Sequence, residues 1–190
     1  MSIRLFIEQV RATLHASFDE IDHWFEKEPG LRAYRPSSGG WTIDEILEHI
    51  GLTSHFLLII IDKGVQKAQK RSAAEDFAGE ALQYIPQLDR LSEVGIHRSF
   101  PWIRPEHMEP HGRRSSAEVR KQLSDQLHRC FEHLNAIPNG EGVLVRTTMT
   151  VNELGKLDVY EYIFFLAQHA RRHVAQMQRN ETEFRALLLA

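Results

Sequence analysis

Four stretches of this sequence repeat apolar residues every three or four positions over several helical turns, and that period commits the chain to long helices. In the first, Phe6, Val10, Leu14, Phe18, Ile21 and Phe25 line one face. The spacing predicts a helix from about residue 3 to 27, stopped by Pro29-Gly30. The segment Tyr34 to Gly40, rich in Pro, Ser and Gly, reads as a loop. A second helix opens after Thr42, whose hydroxyl caps the first turn while Glu45 reaches back, and runs through Ile46, Ile50, Phe56 and Ile60 to about Lys70. Ser115 and Glu118 repeat that capping pattern for a third helix through Val119, Leu123, Leu127, Cys130, Phe131 and Leu134, which Pro138-Asn139-Gly140 ends. Asp158 caps a fourth, expected to run to about Leu188.

Between these helices the pattern weakens. Ala73 to Leu91 keeps some helical period but contains Pro86, and Pro101, Pro105 and Pro110 make the rest of residues 71 to 112 irregular. A connection that long inside a compact unit usually covers something or crosses the bundle. Val143 to Val151 alternates β-branched and other residues and reads as a short hairpin. The sum is an all-α fold: a four-helix bundle with a long crossover between its second and third helices, residues 1 to 190 forming a single domain.

Composition narrows the function classes. A net charge of -3 gives no general affinity for nucleic acid or an anionic membrane. The longest apolar runs, Phe56 to Ile61 and Ile163 to Ala167, are far too short to span a bilayer. The N-terminus lacks a signal-peptide core, and Cys130 is the lone cysteine, so the expected compartment is the cytoplasm. Among the chemistry-bearing residues histidine stands out, with 11 in the chain.

His169 and His173 are four apart, hence about 40° apart around a helix axis and stacked on one face. That face also carries Tyr162, Phe165, Leu166, Gln176 and Met177. Two imidazoles one turn apart can bind one metal, although such a pair alone also arises by chance as two satisfied core histidines. His49 adds a third, on the apolar stripe of the second helix with Ile46, Ile50, Thr53 and Phe56. Bundle cores are where facing helices build metal sites, and three neutral imidazoles with an open position match a catalytic site. His107 and His111 have helical spacing but lie between prolines and read as loop residues, while His128/His133 and His49/His55 do not share faces. Glu45 reads as a cap rather than a base, Cys130 as core, Trp41 as a wedge at the helix entrance, and Arg171 and Arg172 as a solvated face that an anionic substrate could also meet. Gln176 has two equal readings, polar packing or a bond to a ligand imidazole.

With these residues in view, Trp41-Thr-Ile-Asp-Glu-Ile-Leu-Glu-His49-Ile resembles the second-helix motif of the DinB/YfiT-like superfamily. The run from Leu154 through His169 and His173 to Gln176 resembles its fourth-helix motif, and Pro105 to Ser115 resembles its Pro-rich lead-in to the third helix. The resemblance implies an up-up-down-down bundle holding one divalent metal ion, zinc or nickel, on His49, His169 and His173. It also implies a homodimer, and an enzyme acting on a small-molecule substrate: a transferase or isomerase using a low-molecular-weight thiol, or a metal-dependent hydrolase. A non-catalytic metal-binding or stress-response protein is the competing reading. No carboxylate base accompanies the three histidines, which favours thiolate chemistry over hydrolysis. The crossover, with Trp102, His107 and His111, is the expected wall of the site.

Overall fold

The computed structural model describes residues 2–74, 76–102 and 105–189. Its elements in chain order begin with α1 (Ile3–Trp24), a one-turn α2 (Pro29–Arg32) and α3 (Ile43–Ser72). The short helices α4 (Ala78–Leu82) and α5 (Leu88–Val94) follow, then α6 (Ser116–Ala136), strands β1 (Arg146–Met149) and β2 (Gly155–Asp158), and α7 (Val159–Leu188). The fold is all-α apart from one small hairpin.

The helix starts fall where local chemistry puts them. Ser2 accepts from the Leu5 amide, and full reciprocal capping boxes open α3 (Thr42/Glu45), α6 (Ser115/Glu118) and α7 (Asp158/Glu161). Pro29 does not merely stop α1: it takes the first position of α2, where a missing N–H costs nothing. Pro86 separates α4 from α5, which accounts for the broken period there.

The hairpin is displaced from its expected place. Val143 and Leu144 belong to a 3-10 turn (Glu141–Leu144), and β1 pairs antiparallel with β2 in the register Arg146↔Asp158 to Met149↔Gly155. β-branched alternation marks only the first strand. The second is Gly-Lys-Leu-Asp, entered through left-handed Asn152 and Glu153 and then Gly155 at φ 76°.

Helix directions depart from the up-up-down-down order that the resemblance implies. Phe6 packs on Phe164 near the starts of α1 and α7, and Lys27 bonds Glu181 near their ends, so these two run parallel. Gln126 donates to Gly51 O, His133 meets Asp62, and Gln69 donates to Ala136 O, so α3 and α6 also run parallel. Arg120 pairs with Asp22 and Arg11 with Asn135, which sets α6 against α1. The order is therefore up-down-down-up. Two consecutive parallel helices, each tens of ångströms long, need a connection that travels the length of the bundle, and the long crossover is that connection.

Around the bundle, α1 and α3 each pack against both α6 and α7. The core includes Phe6, Leu14, Ile21, Ile46, Ile50, Leu58, Tyr160, Phe164 and Phe165, all essentially inaccessible. Tyr160 ties the α6–β1 connection to α7: its hydroxyl donates to Ile137 O at 2.5 Å and accepts from the Gly142 amide at 3.2 Å. A Cβ at position 142 would come within 2.6 Å of that ring, so only glycine lets the backbone approach so closely.

Candidate metal centre

His49 sits in the second turn of α3, and His169 and His173 occupy successive turns of α7; all three are buried. Because α3 and α7 run antiparallel, the second turn of α3 comes to face the middle of α7, and the rings converge. Centroids lie 5.2 Å apart for His49 and His169, 4.8 Å for His49 and His173, and 4.5 Å for His169 and His173. One nitrogen from each lies within 4.8 Å of the others, the arrangement of a group able to hold a metal ion.

Hydrogen bonds orient two of the rings. His49 Nδ1 lies 2.7 Å from the Met108 carbonyl oxygen, which can only accept, so Nδ1 carries a proton and Nε2 is the nitrogen through which the neutral ring would ligate. His173 Nδ1 lies 2.9 Å from Gln176 Oε1, which places its Nε2 in the same state, and that atom is 3.1 Å from His169 Nε2. Lone pairs converging in a dry site repel one another unless a proton or a cation lies among them. Tetrahedral zinc, with bonds of about 2.0–2.1 Å, holds neighbouring nitrogens about 3.3 Å apart. The donor set and its spacing fit a divalent ion.

Electrostatics point the same way. Burial pushes the pKa of His169 and of His173 well below the ordinary range; the neighbouring imidazoles and Arg172 push it further, and Gln176 opposes this only for His173. At neutral pH these rings are neutral, the form that ligates.

The three rings open onto a cavity of about 630 Å³. Trp41 forms one wall, its ring 4.7 Å from that of His49, while Phe100 and Trp102 of the crossover form another and stack on each other at 5.3 Å. No aspartate or glutamate lines it among the described residues.

A family model described as the DinB superfamily matches residues 7–177. The chain belongs to the DinB superfamily. No curated protein and no solved structure matches it significantly. Membership and the three-histidine cluster are together compatible with metal binding.

In this DinB-superfamily chain the structure brings His49, His169 and His173 together as the sequence reading expects. Of the three crossover residues named as a wall, only Trp102 faces the cavity. His107 packs edge-on against Phe56 with centroids 4.3 Å apart, and His111 is exposed. Arg171 is exposed, as a solvated face requires, but Arg172 is buried and joins the cavity wall. Glu45 caps α3 and pairs with Arg35 at 2.6 Å, and Cys130 is core.

Several supporting residues escape a sequence reading. Glu48, buried beside His49, accepts from the Gly112 amide at 2.8 Å, which pins the loop that carries Met108. A carboxylate amid the apolar residues of α3 is the signal available for it. Asn180 donates to Trp41 O at 2.8 Å and fixes the other wall. Gln176 resolves from two readings into one contact, with His173. Replacing it with Leu keeps the bulk and removes the acceptor. The expected result is a 10- to 100-fold weaker affinity, on the order of what such supporting bonds carry, read by competition with a chromophoric zinc chelator. Unchanged affinity would reduce Gln176 to packing.

Proposed function

We propose that this chain is a metal-dependent enzyme that holds one divalent ion, zinc or nickel, on His49, His169 and His173 and activates a low-molecular-weight thiol for transfer to a small electrophile. The observation that carries this reading is the single-sided exposure of the cluster: three buried imidazoles converge, and beside them lies a cavity roomy enough for a small molecule. Structural zinc sites are closed by four protein ligands, whereas catalytic ones leave a position free. No fourth His, Cys, Asp or Glu joins this group among the described residues.

The chemistry supplied by a divalent ion held there is Lewis acidity, which brings the pKa of a thiol or a water toward neutrality. The chain's residues orient and enclose. The Met108 carbonyl and Gln176 fix two imidazoles, while Trp41, Phe100 and Trp102 shield the reacting end from water. The absence of a lining carboxylate among the described residues favours thiol transfer over hydrolysis, which draws on a general base to take the proton of water.

The test is elemental analysis of untagged protein, followed by an assay of thioether formation from monochlorobimane and cysteine, glutathione or bacillithiol, with loss of chloride and a proton. Metal-loaded protein is expected to accelerate at least one thiol well above the chelator-treated protein. Bound metal with no acceleration for any thiol would make the non-catalytic metal-binding reading the better one.

A further inference from the structure

The cavity is unusual in its charge. Its wall includes Arg98 and Arg172 and no acidic side chain among the described residues. Arg172 is 7 % exposed, and its guanidinium donates to the Ile96 carbonyl at 2.6 Å and to Ser99 Oγ at 3.3 Å, with its carbon 4.9 Å from the ring centre of Phe100 and 5.1 Å from that of Trp102. All these partners are neutral. The contacts staple the crossover to α7, but they leave a buried positive charge without a counter-ion among the described residues, a costly arrangement unless something anionic visits it.

Arg98 adds a second charge. It occupies the left-handed region at φ 62°, a conformation that non-glycine residues seldom adopt, and it makes no ion pair among the described residues. Residues held in such backbone conformations cluster at functional sites. The adjacent His97 reports the local field: burial, then Arg179, Arg172 and Arg98, push its pKa down to about 4. The imidazoles of the cluster contribute no negative charge. With two arginines and no acidic side chain among its described lining residues, the cavity carries a positive field, which a bound divalent ion would strengthen.

We infer that Arg98 and Arg172 form an oxyanion subsite at the edge of the cavity, so that the substrate is an acidic small molecule: one end reaches the histidine cluster and a carboxylate or phosphate at the other end pairs with the arginines. The inference deepens the proposed thiol chemistry and rests on it for the first end only. Phe100 and Trp102 hold the Arg172 guanidinium, whose terminal nitrogens donate to the crossover, as a fixed charge, and the planar fork of Arg98 is of the kind that matches such oxyanions bidentately. Arg98 is the residue on which to test this, because it is exposed and its removal leaves the staple of Arg172 intact.

The experiment uses the full chain loaded with cobalt(II) at pH 8 and titrated with 4-(mercaptomethyl)benzoate or with neutral phenylmethanethiol, read by the thiolate-to-cobalt absorption band. The rigid para ring keeps both ends of the acid from reaching the same ion. The acidic thiol is expected to bind about tenfold more tightly. Arg98→Ala should erase that preference while leaving the neutral thiol unaffected, and Arg98→Lys should restore part of it. Equal affinity of the two thiols, or equal loss of both in Arg98→Ala, overturns the subsite. Should neither thiol give the band, the thiol chemistry falls, and a second titration decides the subsite by itself. Benzoate, phenyl phosphate and benzyl alcohol are then compared through quenching of the tryptophans, of which Trp41 and Trp102 line the cavity. Tighter binding of either anion, lost in Arg98→Ala, supports the subsite and names its oxyanion. Anion binding indifferent to Arg98→Ala, or no preference over the alcohol, overturns it.

Discussion

His173→Ala is expected to empty the protein of metal while leaving its helical circular dichroism intact, and His49→Ala and His169→Ala should do the same. Each imidazole is one of three donors, and no fourth His, Cys, Asp or Glu joins the group as a reserve among the described residues. Losing a donor should therefore cost more than the roughly 100-fold that marks the loss of an outer supporting bond. A control separates this from the bland reading of three satisfied core histidines. If the rings are merely core, each alanine should lower stability by cavity formation whether or not metal is present. If they exist to bind metal, added metal should raise the melting temperature of the chelator-treated wild type and leave those of the three alanine variants unchanged. Full metal content in any one variant would remove that residue from the site, and a wild-type melting temperature indifferent to metal would favour the core reading.

How much of this was legible in the sequence follows the range of the interactions. Capping boxes at Thr42/Glu45 and Ser115/Glu118 span three residues, so their chemistry is visible in the string itself. The triad was legible for a related reason: His49, His169 and His173 each sit on an apolar stripe, and a stripe announces which way a side chain points. The partner of His49 was not. The Met108 carbonyl lies 59 residues away in an aperiodic, proline-rich segment, and any residue there can offer a carbonyl. Helix direction was hidden too, since an apolar stripe packs equally well against a parallel or an antiparallel neighbour; only pairs such as Gln69 with Ala136 decide it. Arg171 and Arg172 are identical letters with opposite fates. The difference is the crossover, whose backbone carbonyls meet one of them and not the other.

The stability of the metal-free protein relative to Asp158→Asn is expected to fall as pH rises from about 5 to 8. Asp158 is fully buried where β2 joins α7; one carboxylate oxygen accepts from the Glu161 amide at 3.0 Å, and the other meets no donor within 3.5 Å in hydrogen-bond geometry among the described residues. Glu161, also buried, is better provided, accepting from the Asp158 amide at 3.0 Å and the Gln87 amide at 2.8 Å. Burial first, then the Glu161 charge, push the Asp158 pKa from 3.8 up to about 7, against weaker opposing contributions that include Tyr84 and Arg146. An acid whose folded pKa lies above its unfolded value favours folding while it is protonated. That contribution is complete below about 3.8 and is lost as pH climbs through about 7. The gap amounts to roughly 4 kcal/mol at most. Asparagine keeps the acceptor for the Glu161 amide and cannot ionise, so the variant escapes the loss. The titrations of the buried histidines are common to both proteins and cancel in the difference. Urea unfolding of both at pH 5 and pH 8 reads it directly: the variant should gain at least about 1 kcal/mol on the wild type between the two. A difference that does not move with pH would mean that Asp158 stays ionised, its charge held by the amides at the start of the helix that carries His169 and His173.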